Sequence, residues 1–274
     1  MRDTSQSEQL LMSRARGVVG GDVSEETVEL LLEEYFKNYR YRKRLFGESY
    51  PFDIEDGVLV LNANCETVDI YTFFLLCGNL SFVAPANKSI LSVDFERICS
   101  LSIAARFGDG AKVENIGTGR SKFSSDKRKM LRQLARYLKE RIDERFFAPI
   151  KSGSGDHGVD LVCLVPLDRQ GGGSVSALGQ CAASSDDEYW KRKKSDLDKV
   201  LEVILFNHQP YKLLLIPVLY RSLDGSFEDE TGLKNVILLD RLRLFRNDLP
   251  NLFDDVDYDI TQIIKDEFIP AIFG

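Results

Sequence analysis

The residues best suited to chemistry lie in one short stretch, Ser152-Gly153-Ser154-Gly155-Asp156-His157-Gly158-Val159-Asp160-Leu161-Val162-Cys163-Leu164-Val165. A glycine-rich polar turn there delivers Asp160 onto the first positions of an otherwise apolar strand. An ionised carboxylate at the edge of a core is costly unless a cation or N–H donors offset its charge. A second strand signal follows at Leu178-Gly179-Gln180-Cys181-Ala182. Side chains alternate along a strand, so Gln180 and position 182 share one face and Cys181 takes the other. If the two strands pair as a hairpin, Asp160 and Gln180 converge on one ion. A hard divalent cation, Mg²⁺ or Mn²⁺, suits such oxygens, with water and a substrate phosphate completing its shell. The plainer alternative is a turn aspartate accepting backbone N–H groups and an edge-strand glutamine.

The elements that must position these residues read as follows. Residues 1–23 are expected to be a disordered or frayed lead-in. Ser24 caps a helix reaching about Phe46, with Val28, Leu31, Leu32, Tyr35 and Phe36 as its apolar stripe. A short strand at Val58–Asn62 and a buried helix at Thr67–Phe82 complete a helical N-terminal region, 24–90. Helices are expected at Val93–Phe107 and Asp126–Phe147, separated by the glycine-punctuated stretch Gly108–Gly119. Strands at Val159–Val165 and Ala177–Ala182 flank the turn-like segment Asp168–Gly173. A helix at Asp187–Phe206, strands at Lys212–Tyr220 and Asn235–Leu239, and a last helix near Ile260–Phe268 follow. Helices around a central group of strands give an α/β fold with one open sheet.

The two-strand constellation resembles the PD-(D/E)xK, or restriction-endonuclease-like, superfamily, and within it the Mrr-like branch. That branch runs Gly-Asp-x-Gly-x-Asp, strand, then Gln-x-Lys, and Gly155, Asp156, Gly158, Asp160 and Gln180 match it. The resemblance covers roughly residues 93–245. It implies a mixed central sheet flanked by helices over residues 91–274, with 24–90 as a helical extension. It also implies a Mg²⁺-dependent nuclease acting on DNA, in which Asp160, Gln180 and the Cys181 carbonyl hold the metal. Such folds in bacteria often serve restriction or anti-phage defence beside a partner ATPase or helicase. A superfamily glutamate on the preceding helix is assigned to Glu96. Positions 3, 4, 7 and 11 beyond it, Cys99, Ser100, Ile103 and Phe107, carry no other charge. The rivals Glu140 and Glu144 lie in a helix saturated with charge.

One position departs from the family. Ala182 stands where the family has its lysine. Three accounts remain open: a lysine that has migrated, an engineered Lys-to-Ala substitution, or a catalytically inactive relative that binds nucleic acid or a partner protein. Helical geometry speaks for migration. Trp190, Leu197, Leu201 and Ile204 form one stripe, and Lys193 and Lys194 fall on or beside it while Lys191 and Arg192 point away. Lys193 is preferred over Lys194, against a lysine that merely snorkels.

The 274 residues carry 36 Lys+Arg against 43 Asp+Glu, a net charge of −7, which argues against bulk attraction to nucleic acid. Positive charge is instead local, at Arg40–Arg44, Lys122–Arg136, Lys191–Lys194 and Arg241–Arg246. Singly these read as solvated faces; together they could line a groove. Tyr39 and Tyr41 among the first cluster could stack on bases, although a cation-decorated helix C-terminus is the simpler account. Asp240-Arg241 reads as a structural ion pair. Cys65, Cys77, Cys99, Cys163 and Cys181 contain no C-x-x-C pair and read as reduced and mostly buried. No apolar run is long enough to span a bilayer and no signal core opens the chain, so a cytoplasmic protein is expected.

Overall fold

The computed structural model describes residues 25–245, apart from 56–57, 63, 109, 117–120, 156 and 168–173, together with Gln262 and Ile263. The lead-in 1–23, the Ser24 cap, Asp156, the glycine tip 171–173, Arg246 and most of the expected helix at 260–268 lie outside the described residues.

A central sheet forms because β5 (Leu161–Val165) and β6 (Val175–Cys181) are apolar almost throughout. Leu161, Val162, Cys163 and Leu164 are all buried, as expected of a strand covered on both faces. The five strands run β3-β5-β6-β8-β9, with β3 (Lys112–Asn115), β8 (Tyr211–Leu215) and β9 (Ile237–Leu239) as the others. β3, β5 and β6 pair antiparallel, whereas β6, β8 and β9 are parallel. The sheet is therefore mixed. Gly108–Gly119, read as a punctuated loop, contains the edge strand β3, whose short polar sequence Lys-Val-Glu-Asn hides its pairing with β5.

Alternation along the strands sorts the two faces. Leu161, Cys163, Ala177, Cys181, Leu213 and Leu215 pack against α3 (Pro85–Phe107), through Phe95, Ile98, Cys99 and Ile103. Val162, Leu164 and Leu178 pack on the other side against α4 (Lys127–Leu138) and α6 (Asp187–Val203), through Leu131, Leu134, Leu197 and Val200. α3 begins eight residues before the expected Val93, because Pro85 pre-sets the first turn. The single helix expected over Asp126–Phe147 ends at Leu138, where Lys139 turns left-handed; Arg141–Ile142 (β4) pairs with Ile204–Leu205 (β7), and α5 covers Glu144–Phe147.

The N-terminal region shares this core. α1 (Glu25–Phe46), the antiparallel hairpin β1 (Phe52–Glu55) and β2 (Val58–Leu61), and α2 (Val68–Gly78) bury Phe46, Tyr50, Phe52, Tyr71, Phe73 and Phe74 in the cluster that holds Phe95 and Leu213. The division drawn at residue 90 falls inside α3. Tyr35, placed on the inward stripe of α1, is 54 % exposed, while Leu31, Leu32 and Phe36 of the same stripe are half-buried. All five cysteines are free and buried. Among the described residues no helix is long and apolar enough to cross a membrane.

Phe74 is fully buried and packs edge-on against Phe95. Phe74→Ala should therefore cost about 3–5 kcal/mol. Urea denaturation should show the midpoint falling with the slope retained, in one transition followed alike by fluorescence and circular dichroism. Separate transitions would contradict a core common to α1–α3 and the sheet.

Candidate functional site

Asp160 ends up 3 % exposed at the entrance to β5, with its backbone N–H bonded to Gly179 O (2.9 Å) and its carbonyl accepting from Ile116 N–H (2.7 Å). Its carboxylate faces an N–H donor and a cation. Oδ2 accepts from the Cys181 backbone N–H at 2.7 Å and lies 3.8 Å from Lys193 Nζ. Lys193 in turn donates to the Cys181 carbonyl at 3.0 Å and sits over the Tyr189 ring, 5.6 Å from its centroid. One ammonium thus meets the carboxylate and the carbonyl assigned to a metal. Lys194, on the next helical position, reaches the carbonyls of Gly232 (2.7 Å) and Lys234 (3.3 Å).

Gln180, 3 % exposed, lies opposite Asp160 in the hairpin register and shares its face of the sheet. With its amide assigned so that the nitrogen faces acceptors, it donates to Lys193 O (2.6 Å) and Gly158 O (3.2 Å), and the side chain ties strand, turn and α6 together. The turn itself demands glycine. Gly158 has φ +81°, and a Cβ there would lie 2.4 Å from Asp196 Cβ. α6 approaches the turn so closely that only a hydrogen fits. Asp126 holds the outer part of the same loop: it caps α4 through Lys129 N–H (3.0 Å) and accepts from Gly153 N–H (3.0 Å). These backbone N–H groups, Lys129 first, hold its carboxyl below the usual carboxylate range.

Ala182 is fully buried in an apolar cluster with Trp190, Leu214, Ile216 and Tyr220. The position at which the resemblance expects a lysine is closed by packing. Trp190 edges against Tyr220 at 5.0 Å between centroids and fills the space a longer side chain would need.

Glu96 comes from α3, on the opposite face of the sheet from Asp160, Gln180 and Lys193. Its link to the site is electrostatic. The Cys181 thiol is pushed well above the usual thiol range by burial, then by its contact with Cys99, with Asp160 and Glu96 adding to the shift. Burial likewise raises Cys99, whose contact with Cys181 lowers it and to which Glu96 and Asp160 again add. Both carboxylates therefore sense the same end of β6 from its two sides. Among the described residues no three His, Cys, Asp or Glu side chains are grouped to hold a metal.

The donor set nevertheless suits a hard cation in kind. An anionic carboxylate oxygen and a peptide carbonyl converge at a point where a positive charge already sits, and Mg²⁺ commonly takes only one or two carboxylates from its protein. Asp160 and the Cys181 carbonyl are the residues that would hold it.

Most of the basic clusters serve the fold. Arg128 donates to the carbonyls of Phe147, Ala148 and Ile150 and lies over the Phe147 ring at 4.2 Å. Lys122 pairs with Glu114, and Lys191 with Asp229 at 3.2 Å. Asp240, read as the partner of Arg241, binds Arg221 instead (2.9 Å) and caps α7 (Arg241–Leu244). Arg241 is buried and donates to Pro217 O at 2.7 Å. Comparison with family models, with curated proteins and with solved structures finds no match to this chain.

Two outcomes follow from this geometry. Because the folded carboxyl of Asp126 is more acidic than in the unfolded chain, its contribution is complete above the usual carboxylate range and is lost as pH falls through the lowered value. Asp126→Asn should melt below the wild type at neutral pH, with the gap narrowing in acid. Lys193→Met should bind Tb³⁺ or Mn²⁺ more tightly than the wild type, because it removes a competing ammonium. Titrations read by terbium luminescence or manganese relaxation should show this, and Asp160→Asn should abolish it.

Proposed function

We propose that the chain is a restriction-endonuclease-like, Mg²⁺-dependent deoxyribonuclease. The observation that carries this reading is the convergence of Asp160, the Cys181 carbonyl and the Lys193 ammonium at one end of the β5–β6 hairpin. A mixed sheet covered by helices on both faces supports it as the frame such a site requires. When bound, the cation supplies positive charge against the charge that builds on the phosphate oxygens during hydrolysis.

The chain's own residues divide the remaining work. Asp160 gives the site its negative charge and, through the Cys181 N–H, is held at a fixed angle to the strand. Lys193 exchanges the Cys181 carbonyl for a phosphate oxygen or the attacking water, which replaces the lysine absent at Ala182. Gln180 fixes the backbone of Lys193 and of the Gly158 turn, a positioning role. Glu96 adds negative charge from the α3 side. We further propose a cytoplasmic protein acting in anti-phage defence or restriction with a partner ATPase or helicase, since a net charge of −7 leaves little bulk attraction for DNA.

The burial of Ala182 beneath Trp190 favours one second reading, an inactive module of the same type that binds nucleic acid or a partner protein. Cleavage of linear and plasmid DNA with Mg²⁺ or Mn²⁺ separates the two. Asp160→Ala should abolish cutting, and Lys193→Ala should slow it by about 10²–10³-fold, the range for a lost preorganised donor to developing charge. Equal rates for Lys193→Ala and the wild type would remove Lys193 from the chemistry. DNA binding with no cutting under either metal would establish the inactive module.

A further inference from the structure

We propose that the cleft between the C-terminal half of α1 and the β1–β2 hairpin is a nucleotide-binding site, distinct from the Asp160 site. The cleft encloses about 320 Å³, the size of a single base with its sugar and too small for a duplex. Aromatic rings line it: Tyr39 from α1, and Tyr50 and Phe52 from the start of the hairpin. Tyr50 and Phe52 are each 5 % exposed and meet edge-on at 5.6 Å between centroids, and Tyr50 is braced by Tyr71 at 5.2 Å. These two rings are therefore a rigid floor. Tyr39, half-buried and packed against the core on one side, is the least buried ring of the lining and the one offered to a base. Tyr41, the other candidate for stacking, is 6 % exposed and lies beneath the Arg44 guanidinium.

Charge at the rim selects an anionic aromatic ligand. Lys43 is paired with Asp53 across the mouth of the cleft, whereas Arg40, also lining it, is exposed and has no carboxylate partner among the described residues. A helix C-terminus explains cations at this end of α1. It does not explain why they rim an aromatic concavity. A nucleotide matches this rim: the base lies against Tyr39, the phosphate meets Arg40, and Asp53 accepts from an exocyclic amine or a sugar hydroxyl. The same chemistry is offered by a free nucleoside phosphate and by one nucleotide of a single strand.

Calorimetric titration of the full chain with AMP, adenosine and a 5′-phosphorylated single-stranded oligonucleotide tests the site. Saturable binding of AMP or of the oligonucleotide is expected, with adenosine weaker. Arg40→Glu should weaken it at least about tenfold without lowering the melting temperature, as loss of a phosphate contact requires. In metal-free buffer Asp160→Asn should bind AMP as the wild type does, which keeps this site separable from the nuclease reading. Equal affinity for AMP and oligonucleotide identifies a free nucleotide as ligand; tighter oligonucleotide binding identifies a strand. Failure of both to saturate, or wild-type affinity in Arg40→Glu, overturns the proposal.

Discussion

The molecule is organised around one buried negative charge. Asp160 stands at the end of a strand whose following residues are all apolar, in a place where an uncompensated carboxylate would be untenable. Its compensation draws on different elements, among them the N–H of Cys181 on β6 and the ammonium of Lys193 on α6. Satisfying Asp160 therefore requires the hairpin to close in one register and the crossover helix to settle in one orientation. Gln180 adds the third tie by holding the backbone of Lys193 against the Gly158 turn.

That arrangement also accounts for the local sequence. Gly158 is needed because α6 must come close enough for Lys193 to reach the strand end, which leaves no room for a side chain in the turn. Trp190 packs in the next layer, in one buried cluster with Ala182. Behind the sheet, Cys99 and Cys181 meet as buried thiols, an apolar backing in which Asp160 and Glu96 still act through a medium of low polarity. Lys193 is both the stabiliser of the resting site and the group with most to do in the proposed chemistry. In the proposed chemistry a cation held by Asp160 would compete with this ammonium, which would then be available to a phosphate oxygen.

The described residues of the N-terminal region share the core that lies behind the Asp160 site. The aromatic residues of α1, the hairpin and α2 share a core with α3 and the α3 side of the sheet. Their outer surface carries Arg40, which has no carboxylate partner among the described residues, and the aromatic cleft, so the extension is both a buttress and a surface of its own chemical character.

The sequence alone determined what depends on neighbours in the chain. Strands β5 and β6 follow from apolar runs bounded by turn residues, the placement of Asp160 before an apolar run marks it as an atypical charge, and the alternation around Gln180, Cys181 and Ala182 assigns their faces. The stripe on α6 narrowed the lysine to two neighbours. The tertiary structure decided what depends on distant contacts. Lys193 goes to Asp160 and Lys194 to the Gly232 carbonyl because the two positions diverge by about 100° around a helix whose angle is set by packing on β6. Glu96 lies on the opposite face because α3, and not its own periodicity, chooses which side of the sheet it covers. β3 was invisible because four polar residues become a strand only when β5 offers its free edge, and Asp240 took Arg221 instead of its neighbour because the chain between them folds back. Local pattern sets what each segment can be; long-range packing sets which groups meet.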